Sequence, residues 1–258
     1  MVAPLPPDRE PGDREPRSLL LAAAAVACVL LLLVVGVRAG WDRLEKDPSR
    51  DGRTRVLFVG DSLMIESAWQ LATRFGEDGV ETRFVGYPGT GLLSGQGWWN
   101  REITHAVDTW RPDVVVIEAC CNYRMAEPGY FLEDGTVIDG GSPQMYEQWA
   151  TQANDAVDRA GAHGAEVYWV VTPAADDTLW PGFGERIDRF NAIYAETSAT
   201  PVDWRAIVTP DGEFRSTMEI DGAEVKIRKD DGLHFTSEGI DVLVDITHSA
   251  VAEDLGLT

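Results

Sequence analysis

Residues 55–75 read RVLFVGDSLMIESAWQLATRF, and this stretch decides the fold. Its first six residues form a short, nearly continuous apolar run, which is typical of a strand buried on both faces. From residue 62 onward apolar side chains recur at helical spacing, as Leu63, Ala68, Leu71, Ala72 and Phe75. We therefore predict a strand, a sharp turn at Gly60-Asp61-Ser62, and a helix.

The same alternation continues to the end of the chain. Apolar runs predict further strands at residues 114–119, 167–171 and 201–204. Between and after them, helical patterns cover residues 103–109, 146–160, 186–197 and 237–255. We expect one α/β domain over residues 55–258, a three-layer α/β/α sandwich with a central parallel sheet. The long irregular stretch 126–143 is expected to be a mobile surface loop or a lid.

The segment before this domain has a different character. Residues 19–37 contain no charged side chain, and their number is close to the roughly 20 that a membrane-spanning helix needs. We predict one uncleaved transmembrane helix here, after a disordered tail (1–18) and before a polar tether (38–54). The alternative is a cleaved signal peptide, in which case the protein would be secreted.

Composition excludes some partners. The formal net charge is -21, and it lies on residues 41–258 because the first 40 residues are balanced. Such a surface repels phosphate backbones, so we expect no nucleic-acid partner. The three cysteines, Cys28, Cys120 and Cys121, show no metal-ligand spacing and no obvious disulfide pairing, and His105, His163 and His248 show no ligand spacing either. We expect no metal.

Two motifs could carry chemistry. Ser62 follows a strand and opens a helix, where backbone N–H groups can stabilise an oxyanion, although Asp61 or Ser62 could simply cap the helix. Near the other end of the chain, one short turn can present Asp231 and His234 together, so that the carboxylate orients the imidazole. The alternative for that motif is a surface turn. Beside it, Lys226, Arg228 and Lys229 form a basic cluster that is either a solvated turn or an attractor of anionic substrates.

Four separated blocks in order, VLFVGDSLM, YPGTGLL, VVVIEACCNYR and DGLHFTSEG, resemble the GDSL-like or SGNH hydrolase superfamily over residues 55–255. The resemblance implies a flavodoxin-like sandwich and no cofactor. It implies Ser62 as nucleophile, His234 as general base and Asp231 as the residue that holds the imidazole. An oxyanion hole would combine the Ser62 N–H, the Asn122 side-chain amide and the N–H of Gly89, with Gly91 as the alternative glycine.

The same resemblance suggests where a substrate binds. By position, Asp61, Gly91, Tyr123 and Trp98 are candidate substrate contacts. Cys121 and Tyr123 depart from the Gly and Asp that commonly flank the block-three asparagine, so the pocket wall is expected to be unusual. Trp98, Trp99 and Trp180 could stack on sugar rings, or could pack in the core or at the rim.

The implied activity is hydrolysis of acyl esters on an envelope glycan, a lipid or a small molecule. An O-acyltransferase using the same three residues and a non-catalytic membrane-tethered binding protein are the alternatives. The sequence predicts no particular protein partner. The resemblance places the catalytic domain outside the cytoplasm. The charges around residues 19–37 favour the opposite orientation, because fewer arginines and lysines precede this segment than follow it. That distribution predicts an outside N-terminus and therefore a cytoplasmic domain.

Overall fold

The structure is a computed structural model that describes residues 52–94, 97–120, 122, 130–131 and 136–257. The predicted tail (1–18) and transmembrane helix (19–37) lie outside these ranges, as does the tether except for residues 52–54. Those three assignments stay predictions. Within the described ranges no helix combines the length and apolarity that a membrane crossing requires.

The described chain alternates strands and helices from its first element to its last. In chain order the elements are β1 (Arg55–Gly60), α1 (Ser62–Glu77), β2 (Glu81–Gly86), α2 (Trp98–Trp110), β3 (Val114–Glu118), β4 (Tyr130–Phe131), β5 (Val137–Ile138), α3 (Pro143–Ala160), β6 (Glu166–Val170), α4 (Phe183–Ala195), β7 (Thr200–Val202), α5 (Trp204–Val208), β8 (Thr217–Ile220), β9 (Ala223–Lys226) and α6 (Ser237–Leu255). A short 3-10 turn, Ala162–Gly164, precedes β6.

Five strands form one parallel sheet in the order β2-β1-β3-β6-β7. At its centre Phe58 of β1 pairs with Phe84 of β2 on one side and with Val116 of β3 on the other. Two antiparallel hairpins, β4–β5 and β8–β9, lie outside this sheet. The predicted α/β class with a central parallel sheet is confirmed.

Helices bury both faces of the sheet. Val56 and Phe58 of β1 belong to one hydrophobic core, which helices α1 and α6 cover. Leu57 and Val59 belong to a second core on the opposite face, which helices α2 and α3 cover. Because successive strand residues point to opposite faces, burial on both sides requires the continuous apolar run that the sequence shows.

The structure differs from the prediction in several strands. Strand β2 is an addition to the predicted elements, because its residues are half-buried or exposed at the sheet edge and give no apolar run. The hairpin β8–β9 is a second addition, for the same reason. The predicted strand 201–204 ends at Val202, because Asp203 caps the short helix α5 by accepting a hydrogen bond from Ala206 N–H at 2.8 Å.

The predicted loop or lid, 126–143, is described at residues 130–131 and 136–143. Where it is described, it contains the hairpin β4–β5 and the first residue of α3. That helix begins earlier than predicted because Ser142 caps it, with Oγ accepting from Met145 N–H at 3.1 Å.

Candidate active site

A close approach between β1, α1 and β3 fixes the turn that carries Ser62. A Cβ added to Gly60 would lie 2.4 Å from Met64 Cβ and 2.8 Å from the Glu118 carbonyl oxygen. Glycine therefore lets the chain turn directly from β1 into α1 against the end of β3. Ser62 becomes the first residue of α1, at the carboxyl edge of the sheet where ligands bind in folds of this type.

Ser62, His234 and Asp231 form one chain of hydrogen bonds. Ser62 Oγ lies 2.8 Å from His234 Nε2, and His234 Nδ1 lies 2.8 Å from Asp231 Oδ2. The serine and the histidine are 172 residues apart in sequence. The structure thus brings together the three side chains that the sequence singled out, in the order serine, histidine and aspartate.

The turn from Asp231 to His234 is organised by the Asp231 carboxylate. Its Oδ1 accepts hydrogen bonds from Leu233 N–H and His234 N–H, both at 2.9 Å. Partial burial raises the pKa of Asp231, but these two bonds and the bond to the His234 ring outweigh it, so the pKa lies below the usual value. Asp231 is therefore ionised beside the imidazole at neutral pH.

A buried arginine supports this turn from behind. Arg228 is 1% exposed, and its guanidinium carbon lies 3.7 Å from the Phe235 ring centre. Its Nη1 donates to Leu233 O at 2.5 Å and its Nη2 donates to Ala174 O at 2.9 Å. Burial lowers the pKa of Arg228 to about 9, and the charge of Asp231 partly opposes that shift. For Arg228, the expectation of a solvated turn or an anion attractor is wrong, because its guanidinium is buried and holds the backbone of the turn from Asp231 to His234.

The two neighbouring lysines are exposed and paired. Lys226 Nζ forms a salt bridge with Asp230, and Lys229 Nζ lies 2.9 Å from Glu66 Oε2 on α1. Exposed pairs of this kind contribute little stability. Both ammonium groups have carboxylate partners, so the cluster offers no unpaired lysine to an anionic substrate.

Trp180 contacts the same turn from the solvent side. Its Nε1 donates to the Asp231 carbonyl oxygen at 2.8 Å, and 43% of the residue is exposed. Leu179 next to it is 51% exposed, and Asp176 N–H donates to Gly232 O at 2.9 Å. The segment after β6 thus presents an apolar surface beside the turn that carries His234, which agrees with rim packing, one of the two alternatives that the sequence leaves open for Trp180.

Asp61 is not a substrate contact, which corrects the sequence-based expectation. The residue is fully buried. Its carboxylate accepts hydrogen bonds from Leu63 N–H at 3.2 Å, Cys120 N–H at 3.2 Å and Asn122 Nδ2 at 2.9 Å. Asp61 therefore caps helix α1, as the alternative interpretation holds, and also ties it to the segment after β3.

Each of the three predicted oxyanion donors, Ser62, Gly89 and Asn122, keeps an N–H without an acceptor in the described part of the chain. Within the described residues nothing accepts from the backbone N–H of Ser62 or Gly89, and one of the two amide hydrogens of Asn122 is not used by Asp61. The alternative glycine, Gly91, donates its N–H to Ser94 Oγ at 2.9 Å. A Cβ at Gly91 would lie 2.5 Å from the Asn122 carbonyl oxygen, so this glycine permits close packing. Of the two glycines, Gly89 keeps the uncommitted donor.

Glu118 is a buried acid that sequence reasoning misses. It is the last residue of β3, is fully buried, and accepts at Oε2 from Asp61 N–H at 3.2 Å and Met64 N–H at 3.4 Å. Burial, the charge of Asp61 and a hydrogen bond with its side chain raise the pKa of Glu118 well above the usual value. One charged residue at the end of the run VVVIE is the available signal, since unpaired acids are rarely fully buried.

Asp61, Glu118 and Cys120 are the one group in the described part of the chain whose donor atoms are close enough to hold a metal ion. Cys120 is disulfide-bonded, contrary to expectation, so its sulfur is not a thiolate ligand. Its partner lies outside the described residues, as do both other cysteines, Cys28 and Cys121. Both carboxyl groups accept hydrogen bonds from backbone N–H groups, and Asp61 also accepts one from the Asn122 amide.

The remaining predicted contacts are divided between core and surface. Trp99 is 2% exposed and belongs to the second core, so it cannot stack on a sugar. Trp98 is half-buried at the start of α2, with its ring edge-to-face with Tyr87, which is 61% exposed. Tyr123 lies outside the described residues, and its predicted role stays a prediction.

Comparison with known proteins identifies the family and the fold of the chain. Residues 55–249 match the model of a family described as a protein of unknown function (DUF459). No curated protein matches the chain. A GDSL-like lipase from Bacteroides thetaiotaomicron is similar in structure, with a TM-score of 0.51 and 18% identity over 84% of this chain and 96% of that one.

Two further solved structures are similar to the same extent. A psychrotrophic esterase from Pseudoalteromonas sp. gives a TM-score of 0.51 at 15% identity, covering 79% of this chain and 99% of that one. An acetyl xylan esterase gives 0.51 at 17% identity, covering 76% and 99%. At these identities the likeness establishes the fold, so the predicted SGNH-type fold is confirmed.

Proposed function

Since the chain belongs to the DUF459 family, whose domain has the SGNH hydrolase fold, we propose that it is a serine esterase in which Ser62 attacks acyl esters. The observation that carries the proposal is the pair of 2.8 Å contacts that join Ser62 Oγ to His234 and His234 to Asp231. Histidine alone beside a serine is common on protein surfaces. A carboxylate on the far ring nitrogen gives the imidazole the tautomer that a general base needs.

In the first half-reaction, Ser62 Oγ adds to the ester carbonyl carbon as His234 Nε2 takes its proton. The negative charge moves to the carbonyl oxygen, where the N–H groups of Ser62 and Gly89 and the Asn122 amide stabilise it. His234 then gives the proton to the departing alcohol, which leaves an acyl ester on Ser62. Asp231 stays ionised throughout, because its pKa is low, and stabilises the charged imidazole.

In the second half-reaction, water replaces the alcohol. His234 removes a proton from water, the hydroxide adds to the acyl-serine carbonyl, and collapse of the second oxyanion returns the proton to Ser62 Oγ as the carboxylic acid leaves. Each proton taken by His234 is returned within the same half-reaction. No cofactor enters either step.

For the substrate we propose an acyl ester on an envelope glycan, a lipid or a small molecule. Two observations support this proposal. The side chains of Tyr87, Leu179 and Trp180 are exposed, and an acetyl xylan esterase and a GDSL-like lipase share the fold. Aromatic faces suit sugar rings as well as acyl chains. We further propose that residues 19–37 anchor the domain to a membrane, outside the cytoplasm.

The test uses the full chain in detergent, with p-nitrophenyl acetate and an acetylated oligosaccharide as substrates and a fluorophosphonate probe. We expect Ser62→Ala and His234→Ala to lose turnover and probe labelling. Ser198→Ala and His105→Ala, which change side chains outside the site, are matched controls that should keep both. Full turnover in Ser62→Ala would refute the assignment of the nucleophile.

Two further measurements separate the alternatives. Transfer of the acyl group to an added oligosaccharide, with little free acid formed, would identify an acyltransferase instead. Absence of labelling in the folded wild type would favour a binding protein. Protease access in intact cells tests the location, since protection of the domain would place it in the cytoplasm.

A further inference from the structure

Two carboxyl groups lie side by side beneath the proposed nucleophile. Asp61 follows β1, Glu118 ends β3, both are fully buried, and oxygen atoms of the two lie within 4.8 Å of each other. Two carboxylates this close have no hydrogen to donate to each other, so they can share a hydrogen bond only if one of them is protonated. Burial favours that protonated state, because it removes each negative charge from water.

No cation in the described part of the chain compensates this pair. Among those residues no lysine, arginine or histidine forms an ion pair with Asp61 or Glu118. The other ionisable group nearby is Tyr194, whose Oη donates to Ala119 O at 2.5 Å, and burial raises its pKa well above the usual value, so it is neutral. Two adjacent buried negative charges without a cation would be very costly.

The hydrogen-bond partners identify which acid carries the proton. Asp61 accepts from three N–H groups, of Leu63, Cys120 and Asn122, as a charged carboxylate does. Glu118 accepts from two N–H groups at Oε2, while its Oε1 has no partner and is the oxygen left to bear a hydrogen. Burial and the Asp61 charge raise the pKa of Glu118 well above the usual value, in agreement with this division.

We propose that Glu118 is a positioning residue: it stays protonated, donates its hydrogen to Asp61, and through Asp61 holds Asn122 and the start of α1 in place to stabilise the oxyanion. The proposal rests on the esterase function proposed above. Glu118 Oε2 fixes the N–H groups on both sides of Ser62, those of Asp61 and Met64, while Asp61 fixes the Asn122 amide. One shared proton thus connects two of the three oxyanion donors.

Loss of that proton has a defined consequence. A second negative charge would then lie behind the oxyanion site and oppose the charge that develops on the substrate oxygen. Repulsion between the two carboxylates would also release Asn122 from Asp61. Activity should therefore fall at alkaline pH, and this decline should depend on Glu118.

The kinetic experiment compares Glu118→Gln with Glu118→Met in the full chain. Glutamine keeps a carbonyl acceptor for the two N–H groups and presents an amide hydrogen to Asp61, so it mimics the protonated acid. We expect Glu118→Gln to keep kcat within about threefold while losing the alkaline decline, and Glu118→Met to lose about tenfold or more in kcat with little change in KM. Equal losses in both variants, or an unchanged alkaline decline in Glu118→Gln, would overturn the proposal.

A second measurement does not depend on activity or on the folding of a variant. Wild-type protein with 13C-carboxyl glutamate is studied by infrared spectroscopy at neutral pH, where a buried carboxylic acid gives a carbonyl band that carboxylates lack. A band that shifts with the glutamate label supports the proposal. Absence of the band would refute the protonation of Glu118, and so would a band that does not shift, because the proton would then be on Asp61. Either result is independent of whether the chain is an esterase.

Discussion

Trp180 donates its indole N–H to the carbonyl oxygen of Asp231 at 2.8 Å, so the backbone of the residue that holds His234 is fixed from the solvent side. Arg228 fixes the same turn from the protein interior. The position of the imidazole relative to Ser62 therefore depends on two hydrogen-bond donors, the indole of Trp180 on the solvent side of the turn and the guanidinium of Arg228 on its buried side.

Replacing Trp180 by phenylalanine should weaken this support selectively. The ring remains, but the 2.8 Å hydrogen bond to Asp231 O is lost, at a cost of about 1 kcal/mol. We expect kcat/KM for p-nitrophenyl acetate to fall about fivefold if that energy is expressed at the transition state. Trp69→Phe, at a position 79% exposed on α1, is the control and should match the wild type. An effect of the same size in both variants would contradict the role of the bond.

Asp231→Asn removes the negative charge of the carboxylate but keeps the size and shape of the side chain. Asparagine can present an N–H to the histidine ring, which favours the wrong tautomer for a base facing Ser62. We expect kcat to fall by about three to four orders of magnitude, with circular dichroism unchanged. The neighbouring Asp230→Asn removes an exposed carboxylate paired with Lys226 and should leave kcat almost unaffected. Comparable losses in the two variants would remove Asp231 from the mechanism.

Gly60→Ala should destabilise the fold, because the new methyl group would lie 2.4 Å from Met64 Cβ and 2.8 Å from the Glu118 carbonyl oxygen. We expect the free energy of unfolding in urea to decrease by about 1–3 kcal/mol. Gly76→Ala, within helix α1 and with no atom within 4 Å of the added Cβ, is the matched control. It should stabilise the protein by up to about 1 kcal/mol, since alanine favours helix. A neutral Gly60→Ala would show that the turn can relax.

The protonated state of Glu118 predicts how stability changes with pH. Its pKa is well above the ordinary value of 4.5, so above that pH the folded state keeps a proton that the unfolded state has lost. The contribution of Glu118 to the free energy of unfolding is complete below pH 4.5 and falls as pH rises toward the folded-state pKa, by at most about 1.4 kcal/mol per pH unit.

Glu118→Gln should lack this decline, so its stability relative to the wild type should increase with pH. Urea unfolding of both proteins from about pH 5 to about pH 8, in steps of roughly one pH unit, measures the difference in their free energies of unfolding. Glu224→Gln, at an exposed position on β9, should follow the wild type at every pH. A constant difference between Glu118→Gln and the wild type would show that Glu118 is ionised already.

The sequence predicts the parallel sheet well because its central strands are buried on both faces. Residues 55–60 and 114–118 are apolar throughout or nearly so, and a short run of that kind is typical of a strand between two layers of helices. Strand β2 escapes prediction because an edge strand exposes part of its surface, and its mixed residues resemble a loop. Ser62, Asp231 and His234 can be selected because each lies in a short motif at the end of an element.

The supporting residues cannot be selected in this way. The role of Asp61 depends on Glu118, which is 57 residues away, and a carboxylate before a helix is equally typical of a simple cap. Arg228 belongs to a run of charged residues that suggests a solvated turn. Its burial depends on Ala174 and Phe235, which only the folded chain brings to it.

The 172-residue separation between Ser62 and His234 also constrains when this protein can first act. During synthesis, β1, α1, β2 and β3 can emerge and begin to pack long before position 234 is translated. A nascent or prematurely terminated chain would expose the serine without its base, and would leave the esters it meets intact. Ser62 would therefore gain its histidine only after most of the domain has been made, because only α6 follows position 234 among the elements of the fold.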